Sequence, residues 1–274
     1  MNNYGKTVHN KVIIKSLVER VFMMRKLSAL LAVAILLVGC RSNKEVTSKE
    51  QTSNQETSQN TEHLDYSKQD EWKIASGEMQ SPININMSEI VSMLDAGQLD
   101  LNYDHQISYV EDNEHSIQVG AGGVGMINGR RFELEQIHFH SMSEHTINEE
   151  AYPLEAHFVH QSQDGRIAVI GVLFKEGAEN DSFQSILDYI KQDEKNEVTV
   201  DIDLESLIPE SKNYFHYLGS LTTPPLTENV EWYIFSEFVE LSKEQIEKFQ
   251  EYYHDNHRNL QPLNGRSILF HEQS

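Results

Sequence analysis

Past residue 100 the chain alternates apolar and polar positions in short runs. Ile107 to Val110, Ser116 to Val119, Arg131 to His140, Leu154 to His160 and Ile167 to Phe174 read as strands on this pattern, because successive side chains of a strand point to opposite faces. Turn signals divide the runs, notably Gly120-Ala121-Gly122-Gly123, Asn128-Gly129 and Asp164-Gly165. The Asn-Gly and Asp-Gly pairs suit tight hairpins, since these residue types tolerate positive φ. Helical periodicity is scarcer. It predicts a helix over Asn84 to Gly97, with Ser88 as cap and Ile90, Val91 and Leu94 behind it. A second runs over Asp181 to Ile190, capped by Asp181, with Phe183, Ile186, Leu187 and Ile190 on one face. A third covers Ser242 to Tyr253, where Ser242 and Gln245 form a capping box. Strands outnumber helices, so the expectation is a mainly β fold, an extended sheet with short surface helices.

The amino end follows other rules. Met23-Met24-Arg25-Lys26 is basic, Leu27 to Val38 is apolar, and Gly39-Cys40 follows, which is the plan of a secretory signal. The apolar run is shorter than the roughly 20 residues of a membrane span. Leu37-Val38-Gly39-Cys40 resembles the lipobox of bacterial lipoproteins, which implies lipidation of Cys40 and an exported protein anchored to the membrane through its lipid, outside the cytoplasm. Met1 to Phe22 are either an upstream start or a long basic leader. Ser42 to Thr61 is polar with almost no apolar residue and reads as a disordered tether, because it cannot bury enough surface to offset the cost of ordering. The expected division is a signal over 1–39, the lipidated cysteine and tether over 40–62, and one domain over 63–274, a size usual for a domain.

Composition narrows the partners. Cys40 is the only cysteine, so an intrachain disulfide is excluded and the core and any metal must stabilise the domain. The formal net charge is −21. From Cys40 onward, 16 basic residues face 42 acidic ones. Such a surface repels nucleic acid and anionic headgroups, so membrane attachment rests on the lipid alone.

The candidate chemistry lies in Gln136 to His160. His138 and His140 are two apart on one strand and share a face, and His157 sits on the run that reads as the neighbouring strand. Three imidazoles with a fourth position open are the ligand set of catalytic zinc. An H-x-H pair by itself is as readily two hydrogen-bonded core histidines. Gln136 lies two before His138 and Glu155 two before His157, so each shares a face with a histidine it can orient, as metal-bound imidazoles require. The same spacing also fits ordinary polar residues at a sheet edge.

At this point several motifs converge in order: Gln80-Ser81-Pro82-Ile83-Asn84-Ile85, Gln136-Ile137-His138-Phe139-His140, Ser143-Glu144-His145-Thr146, Glu155-Ala156-His157-Phe158-Val159-His160 and Gly219-Ser220-Leu221-Thr222-Thr223-Pro224-Pro225. The chain resembles the α-class carbonic anhydrases from about Tyr66 to Phe270. The resemblance implies a single domain on a large, mostly antiparallel central sheet with short peripheral helices. It implies zinc on His138, His140 and His157, and reversible hydration of carbon dioxide to bicarbonate and a proton by attack of zinc-bound hydroxide. Thr222 matches the threonine that accepts from that hydroxide and passes its own proton to Glu144. His115 matches the proton shuttle, a role suited to an imidazole of ordinary pKa near 6.5. Tyr66, Asn113 and Gln118 match positions that hold the water chain. Val159, Val169, Leu221, Val230 and Trp232 match the apolar wall where carbon dioxide rests, with Thr223 also in the substrate pocket. Many bacterial relatives carry a cysteine just before Gln-Ser-Pro and another just after Thr-Thr-Pro-Pro. Here those places read Ala75-Ser76-Gly77-Glu78-Met79 and Leu226, and a less stable Thr222 loop is the expectation. Two other readings stand beside the enzyme: a catalytically silent binding module of the same fold, and a surface zinc-binding lipoprotein. The silent module would lack a zinc histidine. The zinc-capturing lipoprotein would carry a His-rich tract, and Ser42 to Thr61 contains no histidine.

Overall fold

Alternation becomes a sheet. The computed structural model describes residues 64–73 and 77–273, all within the unit Asn60–Ser274. The signal segment, Cys40 and the tether lie outside the described residues. In chain order the strands are β1 (Asn84–Ile85), β2 (Val91–Ser92), β3 (Leu99–Tyr103), β4 (Tyr109–Asp112), β5 (Ile117–Gly120), β6 (Gly123–Ile127) and β7 (Arg130–His140). There follow β8 (Thr146–Ile147), β9 (Leu154–Gln161), β10 (Ile167–Glu176), β11 (Lys195–Glu197), β12 (Tyr214–Ser220), β13 (Glu228–Phe235), β14 (Val239–Leu241) and β15 (Leu269–His271). The sheet runs β11-β4-β5-β7-β9-β10-β13-β12-β15-β2, with β6 carrying β3 alongside the first half of β7. Its ladders are antiparallel except where β10 meets β13 and β14 and where β15 meets β2. β1 and β8 form a separate parallel pair.

The two faces of this sheet do different work. On β7, β9 and β10 the residues Ile137, Phe139, Ala156, Phe158, Ala168, Ile170, Val172 and Phe174 form one buried face. The helices Asp181–Tyr189 and Lys243–Gln250 cover it, with Phe183 and Phe249 standing 5.5 and 5.9 Å from the Phe139 ring. Burying one such aromatic contributes on the order of 1.5–3 kcal/mol. The opposite face carries Gln136, His138 and His140 on β7, and Glu155, His157 and Val159 on β9.

Several local expectations are corrected. Asn84 to Gly97 is not a helix: Ser88 N–H and Oγ donate to Asn86 Oδ1 in a turn, and Val91 N–H donates to Ile268 O at the sheet edge. Tertiary pairing overrides a weak helical period there. Asn180, not Asp181, caps its helix by accepting from Phe183 N–H. The Ser242–Gln245 capping box forms as expected, although the helix stops at Gln250. Asn128 and Gly129 make the tight hairpin between β6 and β7, with φ of 46° and 78°. Asp164-Gly165 sits in a longer loop in which only the glycine has positive φ. The run Gly120 to Gly123 is not simply a turn: Gly120 ends β5 and Gly123 starts β6, where a Cβ would lie 2.6 Å from the Tyr103 Cα. Strands β12 and β13 escaped the alternation rule because Tyr214, Phe215, Tyr217, Trp232, Tyr233, Ile234 and Phe235 are buried on both faces.

One buried titratable group belongs to the fold alone. His160 lies on the face opposite His157, donating Nδ1–H to Phe158 O (2.8 Å) and accepting the Tyr103 hydroxyl at Nε2 (3.0 Å). Burial lowers its pKa to about 4. Unfolded, it would titrate near 6.5, so its contribution is intact above pH 6.5 and is lost as pH falls toward 4. A loss of about 3 kcal/mol is expected across that window. Chemical denaturation of the metal-loaded protein at several pH values measures it. His160→Gln should flatten the slope there, and an unchanged slope would rule this origin out.

Candidate metal centre

Strand pleating puts His138 and His140 on one face, and the β7–β9 register sets His138 opposite His157 and His140 opposite Glu155. Each ring has one nitrogen engaged by a neighbour. His138 Nδ1–H donates to Gln136 Oε1 (3.0 Å), His140 Nδ1–H donates to Asn256 O (2.7 Å), and His157 Nε2–H donates to Glu155 Oε1 (2.9 Å). These bonds fix the tautomers. They leave His138 Nε2, His140 Nε2 and His157 Nδ1, which lie within 4.8 Å of one another. His138 Nε2 and His157 Nδ1 are 3.3 Å apart, matching the edge of a tetrahedron with metal–nitrogen bonds of about 2.0–2.1 Å.

Electrostatics favour neutral rings at His138 and His140. Burial, reinforced by the neighbouring His140 and His157, holds the His138 pKa well below its ordinary value. Burial also lowers that of His140, outweighing the opposing pull of Glu144. Two buried polar atoms at the centre have no hydrogen-bond partner among the described residues, His140 Nε2 and Glu144 Oε2, 3.6 Å apart. An orphaned buried pair costs free energy in the protein by itself. A divalent cation on the three nitrogens would take up the His140 Nε2 lone pair, so the residues fit zinc.

Behind His157 the network continues. Glu155 Oε1 also accepts from His145 Nδ1 (2.7 Å), and Oε2 accepts from His145 N–H (2.8 Å). His145 Nε2 meets the Tyr217 hydroxyl at 2.7 Å, and that hydroxyl meets Ser81 Oγ at 2.7 Å. Burial alone would raise the Glu155 pKa, but His145 and His157 outweigh it and hold the carboxyl well below its usual range. Gly171, opposite His157, leaves the space: a Cβ there would stand 3.1 Å from Glu155 Oε1.

The other predicted residues gather around this centre. A cavity of about 350 Å3 is lined by Tyr66, Asn113, His115, Gln118, Gln136, His138, His140 and Thr223 among others. His115 is half-buried there, its Nδ1 accepting from Leu64 N–H (3.3 Å). Asn113 Nδ2 donates to Gln118 Oε1 (3.4 Å), and the buried Tyr66 hydroxyl has no partner among the described residues. Val169, Val230 and Trp232 belong to one apolar cluster against which Val159 and Leu221 pack. The Trp232 ring lies 4.8 Å from that of His157. Thr222 is buried on the loop after β12, but it makes no hydrogen bond to Glu144. Glu144 Oε1 instead accepts Arg258 N–H (2.8 Å), which leaves Oε2 open.

Sequence reasoning missed three residues. Asn256 orients His140 through its carbonyl while its side chain holds Ser141 N–H, Phe139 O and His115 O. Arg258 fixes Glu144, and His145 anchors Glu155. His145 stood inside a recognised motif. Asn256 and Arg258 carry no local signal, because they reach the site across more than 100 residues.

Residues 62–272 match the family described as eukaryotic-type carbonic anhydrase. The chain is 37% identical over 198 residues to a carbonic anhydrase of Pectobacterium carotovorum, covering 70% of this chain and 80% of that one. An α-carbonic anhydrase from Thermovibrio ammonificans, solved with the inhibitor sulfanilamide, is 44% identical with a TM-score of 0.68, covering 70% and 87%. Dioscorin complexed with ascorbate is also similar, at 32% identity and a TM-score of 0.67, covering 72% and 87%.

Proposed function

The chain belongs to the eukaryotic-type, or α-class, carbonic anhydrase family, and from that premise we propose that it hydrates carbon dioxide reversibly, with zinc held by His138, His140 and His157. The observation that carries this reading is the convergence of three imidazole nitrogens whose ring partners are all taken. Zinc, when bound, supplies Lewis acidity that brings the pKa of water to about 7, a value established for carbonic anhydrases as a class.

The chain's own residues do the rest. Gln136, Asn256 and Glu155 orient the three rings and keep their inward lone pairs available. Val159, Val169, Leu221, Val230 and Trp232 hold apolar carbon dioxide and exclude bulk water, with Thr223 at the rim. Thr222 orients the nucleophilic oxygen by accepting a hydrogen bond from it and donating one to Glu144, whose Oε2 is the open acceptor. Water adds across one C=O bond of carbon dioxide, giving bicarbonate and one proton. His115 takes that proton through water held by Tyr66, Asn113 and Gln118 and releases it to buffer.

Stopped-flow hydration of carbon dioxide with metal content measured in parallel tests this reading. Turnover should follow bound zinc, and an aromatic sulfonamide should block it. Zinc-loaded protein without turnover would favour a silent binding module. Replacing His115 with Ala should lower turnover about 10- to 100-fold in dilute buffer, within the range of general acid–base contributions. Added imidazole should restore it, and unchanged turnover in dilute buffer would exclude the shuttle. We further propose export and anchoring through lipidated Cys40. Cys40→Ala should release the protein from the membrane fraction, and retention there would count against the anchor.

A further inference from the structure

The loop over residues 221–227 joins β12 to β13 and carries Leu221, Thr222 and Thr223. Its two feet, Ser220 and Glu228, are register partners. Both rest on one segment distant in sequence, Met79 to Ser81. At the first foot the serines bond reciprocally: Ser81 N–H donates to Ser220 Oγ (3.0 Å) and Ser220 N–H donates to Ser81 Oγ (3.1 Å). At the second foot, Glu228 Oε1 accepts from Met79 N–H (2.6 Å) and from Gln80 Nε2 (3.1 Å). The same Gln80 amide donates to Leu226 O (3.2 Å), holding a residue whose φ is 60°.

The segment is itself fastened to the floor of the site. Arg258 donates to Gln80 Oε1 (2.9 Å) and Ser81 O (2.7 Å), while its own N–H holds Glu144. Arg266 donates to Gln80 O (2.8 Å). Gly77 is shaped by the same contact: its φ is +59°, and a Cβ would fall 2.2 Å from Glu228 Oε2. Cys40 being the only cysteine, this tie is made of hydrogen bonds.

We propose that Glu228 is a positioning residue for Thr222: its carboxylate pins the second foot of the loop to Met79 and Gln80 and so sets the position of the Thr222 hydroxyl. Glu228 bonds to main chain and to Gln80, and to none of the histidines. A foot that slips carries the whole loop with it, because Leu221 N–H bonds Thr227 O (2.9 Å) and Leu226 N–H bonds Thr223 O (3.0 Å). The inference rests on the reading that Thr222 takes part in hydration.

The test uses the full zinc-loaded chain and five variants: Glu228→Ala, Glu228→Gln, Gly77→Ala, Thr222→Ala and the double variant Gly77→Ala with Glu228→Ala. Hydration kcat/KM, the buffer dependence of kcat, zinc content and Tm are measured for each. Glu228→Ala should cut kcat/KM about 10- to 100-fold, as a displacement of about 1 Å does at a reacting centre. Zinc content and buffer dependence should stay as in the parent. Glu228→Gln keeps an acceptor oxygen and should remain within about threefold. Gly77→Ala should reproduce Glu228→Ala, and combining the two should add little, since both break one contact. A Glu228→Ala protein with lowered Tm but unchanged kcat/KM overturns the proposal, as does Glu228→Gln as damaging as Glu228→Ala. If Thr222→Ala loses activity and Glu228→Ala does not, this inference fails alone. If Thr222→Ala keeps full activity, the reading beneath it fails too.

Discussion

His140→Ala is expected to remove both the metal and the reaction. His140 offers Nε2 from a buried ring locked by the Asn256 carbonyl. Two imidazoles do not make the three-ligand set on which catalytic zinc depends. Bound zinc should fall from about one per chain to near none, and hydration should drop to the uncatalysed background. Dialysis of the parent against a chelator should give the same loss, with recovery on adding zinc. Turnover near the parent's in His140→Ala would show that the three nitrogens are not the working centre.

Glu155→Ala should be the most damaging change outside the ligands. The carboxylate is fully buried and accepts from His145 N–H, His145 Nδ1 and His157 Nε2. Removing it strands three donors in a dry interior. Zinc affinity should weaken about 10- to 100-fold, the range established for such orienting partners, carbonic anhydrases included. Stability should fall by about 3–5 kcal/mol, as when one partner of a buried charged network is deleted. Glu155→Gln keeps the shape and loses the charge, so it should fall between. Competition for zinc against a chelator and denaturant titration measure the two effects. Parent-like zinc affinity in Glu155→Ala would show that His157 needs no such orienter.

The two results belong together because His140 and Glu155 face each other across the β7–β9 ladder. A ligand and an orienter become neighbours through strand register. Gln136 and Glu155 were found from the sequence because each lies two residues from its histidine, and a pleated strand keeps such residues on one face. Asn256 does the same service for His140 from 116 residues away, and nothing in its surroundings distinguishes it from a surface asparagine. The helix expected over Asn84 to Gly97 failed for a related reason. Val91 pairs with β15 and Ile90 packs against the cluster around Trp232, while Leu94 stays exposed, so the three share no helical face.

The expectation of a weak Thr222 loop meets a set of long-range contacts in the folded chain. The loop has no disulfide, yet both its feet are held by Met79, Gln80 and Ser81. That bracket joins positions about 140 to 150 residues apart, a separation at which local pattern carries no information.

Local geometry decided what the sequence by itself determined: the strands β7, β9 and β10, the shared face of His138 and His140, the capping box at Ser242 and, through ordered motifs, the family. Each follows from a two- or three-residue period that the backbone imposes wherever the residues stand. Tertiary structure alone decided which nitrogen each histidine presents, that Asn256, Arg258 and His145 belong to the site, and that Glu228 holds the Thr222 loop. Those outcomes depend on buried donors and acceptors finding partners across the sheet, and only the closed fold selects them.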